Sequence, residues 1–389
     1  MGKNLLFLAD GTWNGPGHDL DDDPVSAQPS NVLKLYHWLA GHDTLESTGL
    51  AGEAERVELD PNTGAPLQVA KYLDGVGYDH NWLAKIIGGV FGAGLVTRIV
   101  RGYTYVSRNY QAGDRITLVG FSRGAYTARA LAGLILEQGL LDPAKLDLDD
   151  REAAYRAGCA VWASHQKRIR TGFLDRIEGI LFDLPGFFSK PPAPGSLLPA
   201  DLETVAVWDT VGAMGIPQYS GEDERLDAFR FANTQLDLRV HQGFHALSLD
   251  EQRPDFTPTL WDARDRLTQT LFPGAHADIG GGYPMSGGES GLSDGALSWM
   301  QSRLAELPNG AGIHFGAPPA GIQPSAAGPA HQPWNHVPYL GLNHGPRRFP
   351  NGQGLLPDPS VAARMAADNV VPDPGQPKAP YYPGNLPKP

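Results

Sequence analysis

Residues Gly120-Phe121-Ser122-Arg123-Gly124 hold a serine between two glycines in the G-x-S-x-G spacing. Its neighbours give that serine a chemistry. Asp114-Arg115-Ile116-Thr117-Leu118-Val119 ahead of it is β-branched and apolar, as a buried parallel strand should be. Thr127–Ile135 behind it reads as a helix. A sharp turn from strand to helix strains the backbone and lifts the hydroxyl out of the sheet as a nucleophile. Gly120 and Gly124 then fall where a Cβ would collide with the neighbouring helix or strand. The helix aims its amides and positive dipole end at the place where an oxyanion would form, which makes the Arg123 amide a first donor. Such a serine needs a base and an acid behind it, and the chemistry would be transfer of an acyl group to water through an acyl-enzyme.

Two later strand ends offer those groups. Leu202–Val207 reads as a buried strand closed by Trp208-Asp209-Thr210-Val211-Gly212. Gln269–Ala275 reads as a last strand running into His276-Ala277-Asp278-Ile279-Gly280-Gly281-Gly282, and a histidine on such a loop can bring its imidazole to the serine. Ser122, Asp209, His276 is the nucleophile, acid, base order of α/β-hydrolases. Asp250 is the alternative acid. It ends a stretch, Arg239–Glu251, that reads as a helix with His241 and His245 mid-way, whereas Asp209 ends a strand, so Asp209 is favoured. The opening strand Asn4–Ala9 delivers Asp10-Gly11-Thr12 to the same rim. There the Gly11 or Thr12 amide would be the second oxyanion donor, or Asp10 would close an Asx-turn over local N–H groups.

The elements between these points are mostly short. Ser30–Leu39 reads as a capped helix, residues 42–66 as a loop with a weak strand, Ala70–Gly77 as a strand and Thr97–Tyr110 as a helix. The Gly-rich run Ile87–Gly94 lacks the Lys-Ser/Thr pair that grips phosphate. Residues 140–200 read as an insertion in which Phe173, Leu174, Ile177, Ile180, Leu181 and Leu184 follow helical spacing, either a lid over an acyl pocket or a helix packed on the core. From about residue 306 proline and glycine dominate, with one helical piece at Ser360–Ala367, and this tail is expected to wrap the domain. The expectation is one domain over residues 1–389. Its class is α/β: α/β-hydrolase-like, with a mainly parallel sheet, helices on both faces, a helical lid-like insertion and a Pro/Gly-rich tail.

Composition narrows the function classes. The chain has 389 residues, 41% of them hydrophobic, enough for a large core. A net charge of -12 argues against a nucleic-acid partner. One cysteine, Cys159, excludes an internal disulfide framework. The N-terminal apolar run is too short for a signal peptide, and Ile86–Val100 is broken by glycines and carries Arg98, so a soluble, cytoplasmic protein is expected. The oligomeric state is not legible. Asp19, Asp21, Asp22 and Asp23 read as a solvated acidic loop. Two other function classes stay open. One is metal-dependent phosphoester hydrolysis around Asp10, Asp22, Asp278 and His276. The other is a catalytically silent scaffold that binds a lipid or a partner.

Four motifs carry a family resemblance: Asp10-Gly11-Thr12-Trp13-Asn14, Gly120–Ala125, Trp208–Gly212 and Phe272–Tyr283. The segment His245–Glu251 and the ending Tyr381–Pro387 also match. Together they resemble the α/β-hydrolase family long catalogued as a domain of unknown function and associated with the catalytic domain of type VI secretion phospholipase effectors (type VI lipase effector family 1). The resemblance implies a serine esterase acting on glycerophospholipids, with Ser122 as nucleophile, His276 as base and Asp209 as acid. No cofactor and no metal are expected; the expected partner is a lipid or other ester substrate met at a transient membrane contact, and export by a specialised secretion system stays open.

Overall fold

The computed structural model describes residues 2–11, 28–45, 52–75, 90–169, 193, 195–211, 236–337, 339–350 and 352–387. In chain order its main elements are β1 (Asn4–Ala9), α1 (Asn31–Trp38), β2 (His42–Asp43), β3 (Glu53–Leu59), β4 (Pro66–Leu73), α2 (Val90–Asn109), β5 (Arg115–Phe121), α3 (Arg123–Gln138) and β6 (Leu140–Leu141). Then come α4 (Arg151–Ile169), β7 (Leu197–Leu198), β8 (Leu202–Trp208), β9 (Val240–Ser248), β10 (Leu267–Phe272), α5 (His276–Gly280), α6 (Gly291–Ala305), β11 (Leu355–Pro357) and α7 (Pro359–Ala366).

Nine strands form one sheet in the order β11-β10-β9-β8-β5-β1-β4-β3-β2. From β11 to β4 every pairing is parallel, and β3 and β2 add an antiparallel edge. All six residues of β1 are buried, so its side chains serve both faces of the sheet. Leu5, Phe7 and Ala9 enter one cluster with residues of α2, α3 and α4, including Val100, Leu131 and Trp162. Leu6 and Leu8 enter the other with Leu35 of α1 and Leu297 and Met300 of α6. This two-sided burial explains why β1 reads as an unbroken apolar run.

After β1 the chain builds β2, β3 and β4 on one side, then crosses to place β5 on the other. The order therefore switches direction at β1 and β5, and the crevice outside their carboxyl ends is where such sheets hold ligands. Ser122 follows β5 at that point, and Asp10 follows β1.

Two expectations need correction. Residues 240–248 form a strand, not a helix. The run Phe244–Ser248 is buried throughout, His245 and Ser248 included, because β9 is covered on both faces, and such two-sided burial leaves no alternation to separate strand from helix. His276 is the first residue of the short helix α5, not part of a loop. The tail supplies β11, which pairs parallel with β10, and Val361 of α7, which packs on Leu247, Leu249 and Leu271. The candidate lid helix, Phe173 to Leu184, lies outside the described residues, as does the acidic loop Asp19–Asp23.

Candidate active site

The turn at Ser122 is built by close approach. A Cβ on Gly120 would lie 2.4 Å from the Gly124 carbonyl oxygen, and one on Gly124 would lie 2.1 Å from that of Ala9. Without side chains at both positions, α3 starts directly against β5 and β1. Ser122 sits at φ 55, ψ −121, a costly conformation for a serine. Among the described non-glycine residues three have positive φ: Ser122, Asp209 and Asn309. Two of the three are the candidate nucleophile and acid, so the strain is concentrated at this rim. The Ser122 amide donates to the Trp208 carbonyl at 3.1 Å, and Phe121 pairs with Trp208 across β5 and β8. The serine and Asp209 thus leave adjacent strands side by side.

Asp209 is fully buried and has four donors. Its Oδ2 lies 2.5 Å from His276 Nδ1 and accepts from Arg347 Nη2 at 2.9 Å. Its Oδ1 accepts from Arg347 Nη1 at 2.7 Å and from the Ser248 amide at 2.9 Å. Burial pushes the carboxyl upward, but the Arg347 charge and the bonds from His276 and Arg347 outweigh it and hold Asp209 well below the usual carboxylate range. The turn after it is fixed by the Thr210 amide, which donates to His245 Nε2 at 3.1 Å. Burial, aided by the Arg129 charge, lowers His245 to about 3, so this histidine is a neutral core acceptor.

His276 is 5% exposed, and its ring lies between Phe121 at 4.6 Å and Phe256 at 4.9 Å. Phe121 directly precedes Ser122, so the ring that positions the imidazole moves with the nucleophile. Burial lowers the His276 pKa, and the Asp209 hydrogen bond and charge oppose the shift. The His276 amide donates to Glu251 Oε2 at 3.2 Å, and Glu251 is tied to Arg253. Asp278 holds the start of α5: it accepts from the Ala275 amide at 2.8 Å and faces His331 Nδ1 at 2.7 Å.

Asp10 does not join this group. Its Oδ1 accepts from the Gly11 amide at 2.6 Å, and its Oδ2 from Ser30 Oγ at 2.5 Å and Tyr72 OH at 2.7 Å. The Gly11 amide is therefore turned onto Asp10, and Thr12 lies outside the described residues. Burial raises Asp10 to about 7 against its hydrogen bonds to Ser30, Tyr72 and Gly11 and the Arg98 charge. Asp250 is also placed elsewhere. It accepts from the Gly274 amide at 2.6 Å and from Tyr381 OH at 2.9 Å, beside a cavity of about 260 Å³ under the C-terminal segment. Among the described residues no three His, Cys, Asp or Glu side chains are arranged to hold a metal ion. Asp278 turns to His331 and Asp10 to Ser30, while Asp22 lies outside the described residues.

Arg347 and Glu251 were not singled out as site residues from the sequence. A buried carboxylate at a strand end demands a cation, but nothing in Gly345-Pro346-Arg347-Arg348 marks which one answers.

Residues 3–303 match the family described as "T6SS, Phospholipase effector Tle1-like, catalytic domain". The chain is 30% identical over 266 residues to an uncharacterised protein of Saccharomyces cerevisiae, covering 66% of this chain and 32% of that one. It thus spans about a third of that relative's length. Among solved structures it is similar to the crystal structure of an uncharacterised protein from Pseudomonas aeruginosa, at 18% identity and TM-score 0.48, covering 84% of this chain and 49% of that one. It is also similar to the Tle1 effector bound to the VgrG spike from the type 6 secretion system, at 18% identity and TM-score 0.37, covering 73% and 52%. Matched from residue 3 to residue 303, the chain belongs to the Tle1-like catalytic domain family of type VI secretion phospholipase effectors.

Proposed function

We propose that this chain hydrolyses carboxylic esters, with the acyl ester of a phospholipid as substrate, by a serine nucleophile. The observation that carries this reading is the 2.5 Å contact between Asp209 and His276 Nδ1, formed at the rim where Ser122 is held at positive φ. With Nδ1 on the carboxylate, Nε2 is the ring nitrogen left to take a proton. Ser122 Oγ attacks the ester carbonyl as its proton passes to His276 Nε2. Asp209 holds the imidazolium, and Arg347 keeps Asp209 ionised throughout. The tetrahedral oxyanion collapses, the ester C–O bond breaks, and His276 returns the proton to the leaving alcohol. Water, deprotonated by the same nitrogen, then frees the fatty acid and restores Ser122. The α3 N-terminus, with the Arg123 amide, supplies one side of the oxyanion site. Phospholipid is named as the substrate because the family's description names it.

The test is intact-mass spectrometry after treatment with a fluorophosphonate. Wild type is expected to gain one adduct, and Ser122→Ala and His276→Ala none. Turnover of Ser122→Ala should fall by at least about 10³-fold, since residues that act as a unit fail together. An adduct that persists on folded Ser122→Ala would remove Ser122 from this role.

A further inference from the structure

Val337, Leu340 and Leu342 present aliphatic side chains to solvent on either side of Tyr339 in the chain. Val337 is 82% exposed, Leu340 64% and Leu342 59%. A loop normally hides such groups or replaces them with polar ones, and a cluster left open marks an interaction surface. The backbone that presents them is well tied. The Tyr339 and Leu340 amides both donate to the His336 carbonyl at 2.8 Å, and the Leu342 amide to that of Tyr339 at 3.0 Å. His336 Nε2 lies 2.6 Å from Asp373 at one end, and the Gly345 amide donates to the Gln252 carbonyl at 2.9 Å at the other.

This segment is continuous with the catalytic rim. The Arg253 guanidinium lies between Phe256 at 3.6 Å and Tyr339 at 4.7 Å from the ring centres, and Phe256 is the ring that packs edge-on against His276. Tyr339, a chain neighbour of Leu340, therefore joins this segment to the ring that touches the imidazole.

Charge separates the kinds of surface this loop could meet. The chain has 43 acidic residues, yet none lies between Glu306 and Asp358. His336, His344 and Arg348 are exposed in this stretch, with Asp255 an exposed acid on the adjoining segment. An overall charge of -12 repels an anionic bilayer, so any approach must be made by a local face poor in exposed acids, and Asp373 behind His336 is buried. Aliphatic tips flanked by a tyrosine and an exposed arginine, Arg348, are the composition that inserts shallowly into an interface.

We infer that Val337, Leu340 and Leu342 dock the chain on a lipid surface containing anionic phospholipid and set the catalytic rim against it. This rests on the ester-hydrolysis reading for its purpose but not for its measurement. The test is flotation of the full chain, carrying Ser122→Ala so that lipid is not consumed, with vesicles of phosphatidylcholine and phosphatidylglycerol at about 7:3. Leu340→Asp with Leu342→Asp should weaken vesicle binding by at least about tenfold, since each leucine's transfer to an apolar phase is lost. Vesicles of phosphatidylcholine alone should bind more weakly than the mixed ones. In a Ser122 background, the same pair should slow hydrolysis of vesicle lipid and leave turnover of a soluble short-chain ester within about twofold, as surface changes usually do. Flotation that is unchanged by the two substitutions, equal on neutral vesicles, or absent from both overturns the docking surface. Leucine-dependent flotation in a protein that turns over no ester would keep the surface and discard the enzymatic reading.

Discussion

Replacing Arg347 by methionine removes a guanidinium that bonds both oxygens of Asp209 while keeping most of the side-chain volume. In the native protein its Nη1 also donates to the Ser248 carbonyl at 2.9 Å, and its Nη2 reaches that of Phe256. Asp209 has no exposure to water, so the variant leaves a buried carboxylate with His276 and one backbone amide as partners. Breaking a buried pair in this way costs about 3–5 kcal/mol. Because Asp209 is held below its ordinary range, the stability it contributes is present above about pH 4 and is lost as pH falls through its folded value. The Arg347→Met deficit should therefore be full at neutral pH and shrink in acid. Urea unfolding followed by circular dichroism at several pH values measures this. A second readout separates positioning from mere stability. With its counter-cation gone, Asp209 favours the imidazolium more strongly, so the His276 pKa rises and the acid limb of kcat/KM moves to higher pH. Wild type, whose His276 is lowered by burial, should keep activity below the ordinary histidine value of about 6.5. Arg347→Lys, a single point charge, should recover part of each effect. Arg347→Met with stability within about 1 kcal/mol of wild type and an unmoved acid limb would refute the clamp.

Two further perturbations test the frame around the site. Gly124→Ala places a Cβ 2.1 Å from the Ala9 carbonyl oxygen and 2.5 Å from that of Asp10, backbone atoms that cannot turn away. Such overpacking should cost about 1–3 kcal/mol or more and be visible as a lower thermal midpoint, whereas Gly133→Ala, with open space at its Cβ, should not. Asp10 holds its proton to about pH 7 in the folded chain and near 4 when unfolded, so the stability that Asp10 contributes should be greatest below pH 4 and fall as pH rises toward 7. A difference of about 3 pH units corresponds to about 4 kcal/mol, and Asp10→Asn should flatten that slope in urea titrations at pH 5 and 8. Parallel slopes in the two proteins would show that Asp10 is not the titrating group.

The parts of the site that rest on local chain geometry were legible in the sequence. The elbow is one, because Gly120, Ser122 and Gly124 lie within five residues and the steric demand is made by their own strand and helix. The preference for Asp209 over Asp250 came from reading one as a strand end. β9 was misread because it is buried on both faces, which erases the alternation that distinguishes a strand. Arg347 could not be read at all. It lies 138 residues from its carboxylate, in a stretch with no periodicity, and is one of 31 Lys and Arg residues. A sequence can show that a buried acid needs a cation; which cation closes on it is decided by how the chain returns.

Three buried carboxylates near the carboxyl ends of these strands show how environment divides their roles. Asp209, Asp250 and Asp10 carry the same chemical group at similar depth. The first is held far below its ordinary range, the second is raised by burial to about 6, and the third to about 7. Their partners explain the split. Asp209 meets a full positive charge at hydrogen-bond distance and a histidine on the same oxygen. Asp250 has a backbone amide and a tyrosine hydroxyl, with the Arg364 charge acting on it more weakly than burial does. Asp10 has two hydroxyls and an amide, and the Arg98 guanidinium beside it donates to the Asp10 and Leu73 backbone carbonyls, not to the carboxylate. A group that must stabilise an imidazolium has to stay ionised at every pH where the base works, and Asp209 alone of the three is built for that. Asp250 and Asp10 also end strands at this rim, and their neutral partners fit them to hold turns.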